Sequence, residues 1–136
     1  MWCSDSEGIM VTKRLLLIFF GGGVGSVLRF IVALLLNAPT NAFPIGILVV
    51  NVVGSFIMGF LFQLLPRYGM HNSYLFYLLM TGVLGGFTTF SAFSINTVSL
   101  FMSDRLLLAV INILASVVFS LFAAYVGILC SRIFFA

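Results

Sequence analysis

Gly82-Val83-Leu84-Gly85-Gly86-Phe87-Thr88-Thr89-Phe90-Ser91-Ala92-Phe93-Ser94 lies in the middle of an apolar run, Tyr74–Met102, that is longer than one membrane crossing needs. An α-helix crosses the hydrocarbon core in about 20 residues. Two adjacent glycines ahead of a hydroxyl-rich stretch predict a helix broken near its middle. Backbone that leaves helical hydrogen bonding at membrane depth persists only where protein buries it or where it meets water. Its freed carbonyls can then coordinate a cation. Phe90 and Phe93 share a helix face, a spacing that ordinary packing also produces.

Outward from this stretch, three more apolar runs appear: Leu15–Leu36, Phe43–Leu65 and Leu106–Phe135. Pro44 sits in the first turn of the second and Pro66 closes it, as proline does at helix ends. The chain is 62% hydrophobic and 7% charged, against about 25% charge in a soluble domain. Its mean hydropathy of +1.29 requires lipid as the main solvent. The expected architecture is an all-α integral membrane protein: a polar, basic tail over residues 1–14, then one four-helix transmembrane domain over 15–135. The spans fall at about 15–36, 43–65, 74–102 and 106–135. Short loops at 37–42, 66–73 and 103–105 make neighbouring helices antiparallel. Lys13 and Arg14 resemble the n-region of a signal peptide, with Gly23-Val24-Gly25 as its cleavage site. Apolar character resumes beyond that point and three more runs come after it, so a retained span is expected.

Several function classes drop out. Six dispersed basic residues form no nucleic-acid patch. Cys3 and Cys130, near opposite ends, make neither a disulfide framework nor a metal site. His71 falls in a polar loop and reads as an exposed loop residue. No nucleophile–base pair or metal cluster suggests an enzyme. Lys13, Arg14, Arg67 and Arg132 fall on one side of a four-span plan, Arg105 on the other with Arg29 near it. The bias favours cytoplasmic termini in the cell's inner membrane.

Small and polar residues recur at helical spacing within the spans. Gly21/Gly25 and Gly22/Ser26 are small-xxx-small pairs, which let helices approach closely in lipid. A GxGxxG fingerprint is almost legible there, but Ser26 replaces its last glycine and no strand precedes it, so nucleotide binding is rejected. Asn51, Ser55, Gly59 and Gln63 form one stripe, and Asn112, Ser116 and Ser120 another. An unpaired amide at membrane depth is costly. Each stripe therefore marks either a wet path or a polar helix interface, and pattern alone leaves both open.

No Asp or Glu occurs between residues 8 and 103. A proton-coupled exporter of organic cations needs a carboxylate inside the membrane. Arg29 is the one ionisable group well inside a span, either in a water-filled vestibule or snorkelling to the interface. Hydroxyls, amides and one guanidinium suit a small anion better than a cation.

Three motifs in order resemble the Fluc (CrcB) family of fluoride channels. They are Gly21-Gly22-Gly23-Val24-Gly25-Ser26-Val27-Leu28-Arg29-Phe30, Gly46-Ile47-Leu48-Val49-Val50-Asn51-Val52-Val53-Gly54-Ser55-Phe56, and Gly85-Gly86-Phe87-Thr88-Thr89-Phe90-Ser91-Ala92-Phe93-Ser94. The resemblance covers the chain from about Lys13 onward, and the third motif is highly specific. It implies a fluoride-selective channel that exports F⁻ passively and lowers its toxicity. It implies a dual-topology, antiparallel homodimer in the lipid bilayer, with two pores at the subunit interface and a central structural Na⁺. Carried over by position, Asn51, Thr89, Phe90, Ser91, Phe93 and Ser116 line the pore. Arg29 sits at the vestibule, and the backbone carbonyls of Gly85 and Thr88 bind sodium. The family often carries an acidic residue close to Ile95-Asn96; Asn96 offers a hydrogen-bonding group there without the charge. The competing expectations are a small multidrug-type exporter, which shares the four-span plan, and a non-transporting membrane scaffold.

Overall fold

The computed structural model describes residues 5–36 and 43–135. The expected loop at 37–42, Cys3 and the first residues of the tail lie outside the described residues. Helix α1 (Asp5–Leu36) begins about ten residues ahead of its apolar run, so Lys13 and Arg14 are already helical. Helix α2 spans Ile45–Arg67 and α6 Leu106–Phe134. Between them the third span divides. It opens as α3 (Tyr74–Phe76), widens into a π-helical stretch (Tyr77–Leu84), and tightens to one turn, α4 (Gly85–Phe87). After Thr88 and Thr89 it resumes as α5 (Phe90–Met102). The four helical segments are long and apolar enough to cross a membrane, and their outer faces fit that solvent. Phe19, Leu35 and Phe122 are 74, 75 and 65% exposed. The chain is a multi-pass integral membrane protein of four helical spans.

Local chemistry sets the ends. Pro66 lies in the last turn of α2, and Gly69 takes a left-handed φ of 69° just beyond. The Met70 N–H then returns to the Leu65 carbonyl at 2.9 Å, closing the helix as a C-terminal glycine does. Ser73 caps α3, its hydroxyl accepting from the Phe76 N–H at 3.2 Å. At the other end of the third span Asp104 takes φ 57°. The Arg105 N–H reaches the Leu100 carbonyl at 3.0 Å, and α6 starts at once.

Packing explains the glycines. Helix α1 lies against the π-helical stretch and α4, and α2 lies along α6. A Cβ on Gly25 would overlap the Val83 carbonyl, and one on Gly86 the carbonyl of Gly22. The Gly21/Gly25 and Gly22/Ser26 faces are therefore helix contacts, and the Ser26 hydroxyl adds a long bond to the Gly86 carbonyl, 3.5 Å. Across the other seam a Cβ on Gly59 would overlap the Ala124 carbonyl, and one on Gly127 the carbonyl of Phe56. In lipid, where apolar burial gives helices little reason to associate, such backbone contact is a principal attraction.

The break falls two residues later than the paired glycines. Gly85 and Gly86 are helical, whereas Thr88 (φ −75°, ψ 150°) and Thr89 (φ −152°, ψ 120°) are extended. The physical reason lies in the contacts. Gly86 is needed for the approach to α1, while threonine favours extended backbone and offers a hydroxyl that can cap the next helix. Thr89 Oγ1 accepts from the Ala92 N–H at 3.2 Å and begins α5.

Candidate functional site

A groove of about 380 Å³ opens beside the break, lined by Asn51, Ser55, Thr88, Thr89, Phe90, Phe93, Ser116, Val117, Ser120 and Leu121. Helix α2 supplies Asn51 and Ser55, the broken span supplies Thr88 to Phe93, and α6 supplies the two serines. The groove thus exists only because three elements converge at the point where one of them leaves helical geometry.

Asn51 holds the break. Its Oδ1 accepts from the Thr89 N–H at 2.8 Å, and its Nδ2 donates to the Thr89 carbonyl at 3.1 Å. The side-chain amide replaces helical partners for both main-chain groups. One Nδ2 hydrogen remains for the groove, since a primary amide has two.

The hydroxyls fall into two sets. Those of Thr88, Ser94 and Thr97 donate to the carbonyls of Leu84, Phe90 and Phe93, one turn back in sequence. Such back-bonding is the common resting place of hydroxyls in helices. Ser55, Ser116 and Ser120 make no such bond among the described residues, although all three line the groove. Ser116 is buried all the same.

The aromatic pair stands beside them. Phe90 and Phe93 have ring centroids 5.3 Å apart and planes inclined at 51°. Phe93 is buried, whereas Phe90 is 77% exposed on this single chain. Ser91 does not line the groove; its hydroxyl pairs with Thr89 Oγ1 at 3.0 Å. Arg29 is half-buried on α1 and is not among the lining residues. Ser55 and Ser120 line the groove as well, although of the two stripes' serines only Ser116 is expected there from the family motifs; the four-residue spacing is the signal that includes them.

Each polar stripe combines the two alternatives. Asn51 and Ser55 line the groove while Gly59 packs against Ala124, and in the other stripe Ser116 and Ser120 line it. Asn112, in contrast, is 2% exposed, and its Nδ2 donates to Thr97 Oγ1 at 2.8 Å. That is a polar contact between α6 and α5.

The break also takes helical donors from the carbonyls before it, those of Gly85 and Thr88 among them. In an unbroken helix the Thr89 N–H would serve the Gly85 carbonyl and the Ala92 N–H that of Thr88. Here the first goes to Asn51 Oδ1 and the second to Thr89 Oγ1. No group of His, Cys, Asp or Glu among the described residues could hold a metal. Neutral main-chain oxygens freed in this way fit a hard monovalent cation.

Three ordered motifs, four spans and a broken third helix clamped by an asparagine are distinctive together. The family described as "CrcB-like protein, Camphor Resistance (CrcB)" matches residues 16–128. The chain belongs to the CrcB family. CrcB relatives include proteins named "Fluoride-specific ion channel FluC" from three bacteria. That of Rhizobium etli is 47% identical over 120 residues, covering 86% of this chain and 94% of the relative. Those of Ruminiclostridium cellulolyticum and Agrobacterium fabrum are each 44% identical, over 108 and 119 residues. They cover 79 and 85% of this chain, and 83 and 94% of the relatives. The CrcB match takes in every groove residue, from Asn51 to Leu121.

Proposed function

We propose that this chain is a fluoride-selective channel that lets F⁻ leave the cytoplasm passively. The observation that carries the reading is the set of unspent donors in one groove. The hydroxyls of Ser55, Ser116 and Ser120 have no protein partner among the described residues, and Asn51 keeps one amide hydrogen. Fluoride is small and strongly hydrated, so a dry path must replace its water with donors of this kind. Aromatic ring edges are weakly positive, and Phe90 and Phe93 line the same groove as the hydroxyls. Many weak contacts suit conduction, in which an ion must both bind and leave. The names of the relatives support the same ion. No chemical reaction is required, and inside-negative potential drives the anion outward.

The working unit in this reading is an antiparallel homodimer, with two subunits of opposite orientation in the inner membrane. The groove is open on one side and Phe90 stands out from it, as a half-pore awaiting a partner would. Sodium is the proposed structural ion, held by the carbonyls of Gly85 and Thr88 from each subunit. When bound it adds fixed positive charge close to the anion's path. Asn51 takes the N–H that would serve Gly85, and Thr89 Oγ1 takes the one that would serve Thr88.

The test is fluoride efflux from liposomes containing only this protein, read by a fluoride electrode with valinomycin setting the voltage. Fluoride release without chloride release is the expected result. Proton-driven efflux of an organic cation would favour the small exporter. Absence of any flux from folded, inserted protein would favour the scaffold.

A further inference from the structure

The groove has a neighbour that takes no part in lining it. Asn112, 2% exposed, donates from Nδ2 to Thr97 Oγ1 at 2.8 Å, and the Thr97 hydroxyl donates in turn to the Phe93 carbonyl at 2.8 Å. Thr97 has one hydroxyl hydrogen, so with that hydrogen on Phe93 it can only accept from Asn112. The direction of the chain is therefore fixed: α6 amide, α5 hydroxyl, Phe93 main chain.

The register matters more than the bond alone. Helices α5 and α6 are antiparallel, joined by the short turn at Ser103–Arg105. One turn back from Thr97 stands Phe93, and one turn on from Asn112 stands Ser116. Both of these line the groove. Pinning Thr97 to Asn112 thus sets which part of α5 faces Ser116. Apart from Phe93 itself, the buried positions of α5 are only Thr97 and Leu100. Leu100 is apolar and tolerates rotation; the hydrogen bond does not, because it weakens steeply away from its preferred geometry.

We infer that Asn112 and Thr97 are positioning residues for the ion path, holding the Phe93 ring in register with the Ser116 hydroxyl through a bond one turn away. This rests on the channel reading for its functional consequence, though not for its geometry.

The experiment uses full-length protein in liposomes and detergent. Thr97→Val keeps the shape of the side chain and removes the hydroxyl. It should lower fluoride flux about tenfold, the mid-range of coupling between contacting residues. Asn112→Leu should do the same, and the double variant should be no worse than either single one. Thr97→Ser, which restores the hydroxyl, should recover most of the flux. A second readout does not depend on conduction. 4-Fluorophenylalanine at position 93 should show a shifted or broadened ¹⁹F resonance in Thr97→Val, while the same label at Phe62, on α2, should not. Should Thr97→Val fail to fold, Asn112→Leu is read in its place. A wild-type resonance at position 93 in these variants would overturn the inference, as would additive losses of flux. If the wild-type protein itself conducts no fluoride, the channel reading fails, and the resonance alone decides the positioning.

Discussion

The side chain of Asn51 exchanges two hydrogen bonds with the main chain of Thr89, accepting at 2.8 Å and donating at 3.1 Å. One residue on α2 thereby satisfies both polar groups of a residue that has left helical geometry inside the membrane. Nearly every buried backbone group in a folded protein is paired, and lipid offers no water to make good a loss. Asn51→Leu should therefore destabilise the fold by about 2–6 kcal/mol, two unpaired groups at about 1–3 each. Thermal unfolding in detergent reads this as a lower melting temperature, with flux falling in parallel. An unchanged melting temperature would remove Asn51 from this role.

Asn51→Asp separates the clamp from the path. Aspartate still accepts from the Thr89 N–H but cannot donate to its carbonyl when ionised, and it places a negative charge in the groove. Fluoride flux should fall by more than about tenfold, because like charge excludes the anion. Flux equal to that of the wild type would contradict the placement of Asn51 on the path.

Ser116 makes a different prediction because no other described residue uses its hydroxyl. Ser116→Ala should leave the melting temperature unchanged, since no hydrogen bond among the described residues is lost. Flux should fall about tenfold or more, the value of a hydrogen bond to a charged partner. Loss of stability without loss of flux would show that the hydroxyl serves the fold alone.

Phe93→Ile and Phe90→Ile test the aromatic edges. Isoleucine fills space but has no positive rim. Both variants should abolish measurable fluoride efflux while the protein still elutes as the wild type does. Phe93→Ile should also cost some stability, because Phe93 is buried and Phe90 is not. Retained flux in both would take the rings out of the path.

Gly59→Ala probes the α2–α6 seam. The added methyl would overlap the Ala124 carbonyl, and overpacking costs about 1–3 kcal/mol. A depressed melting temperature is expected; a raised one would mean that the seam relaxes easily.

Sodium can be tested without mutation, because its proposed ligands are main-chain atoms. Protein prepared in potassium salts should melt below protein in sodium salts. Ligand at about 100 times its dissociation constant contributes about 2.7 kcal/mol. Identical melting curves in both salts would leave the carbonyls of Gly85 and Thr88 without a sodium ion.

The primary structure alone determined the solvent, the number of spans and the existence of a break. Those depend on composition and periodicity, which are local and survive without a partner. The resemblance to the family placed Asn51, Phe90, Phe93 and Ser116 together as candidates, and the fold brings all four to one groove. Other features were not legible. The two asparagine stripes look alike along the chain, yet Asn51 lines the groove and Asn112 pins α6 to α5, because that depends on which helix each faces. The break sits at Thr88–Thr89 and not at the paired glycines, because close approach to α1 commits Gly86 to a helical turn. Ser91, beside both pore candidates in sequence, does not line the groove, and its hydroxyl pairs with that of Thr89. Whether a hydroxyl is spent on the protein or left for an ion depends on hydrogen-bond geometry between residues far apart in the chain, and only the tertiary structure decides that.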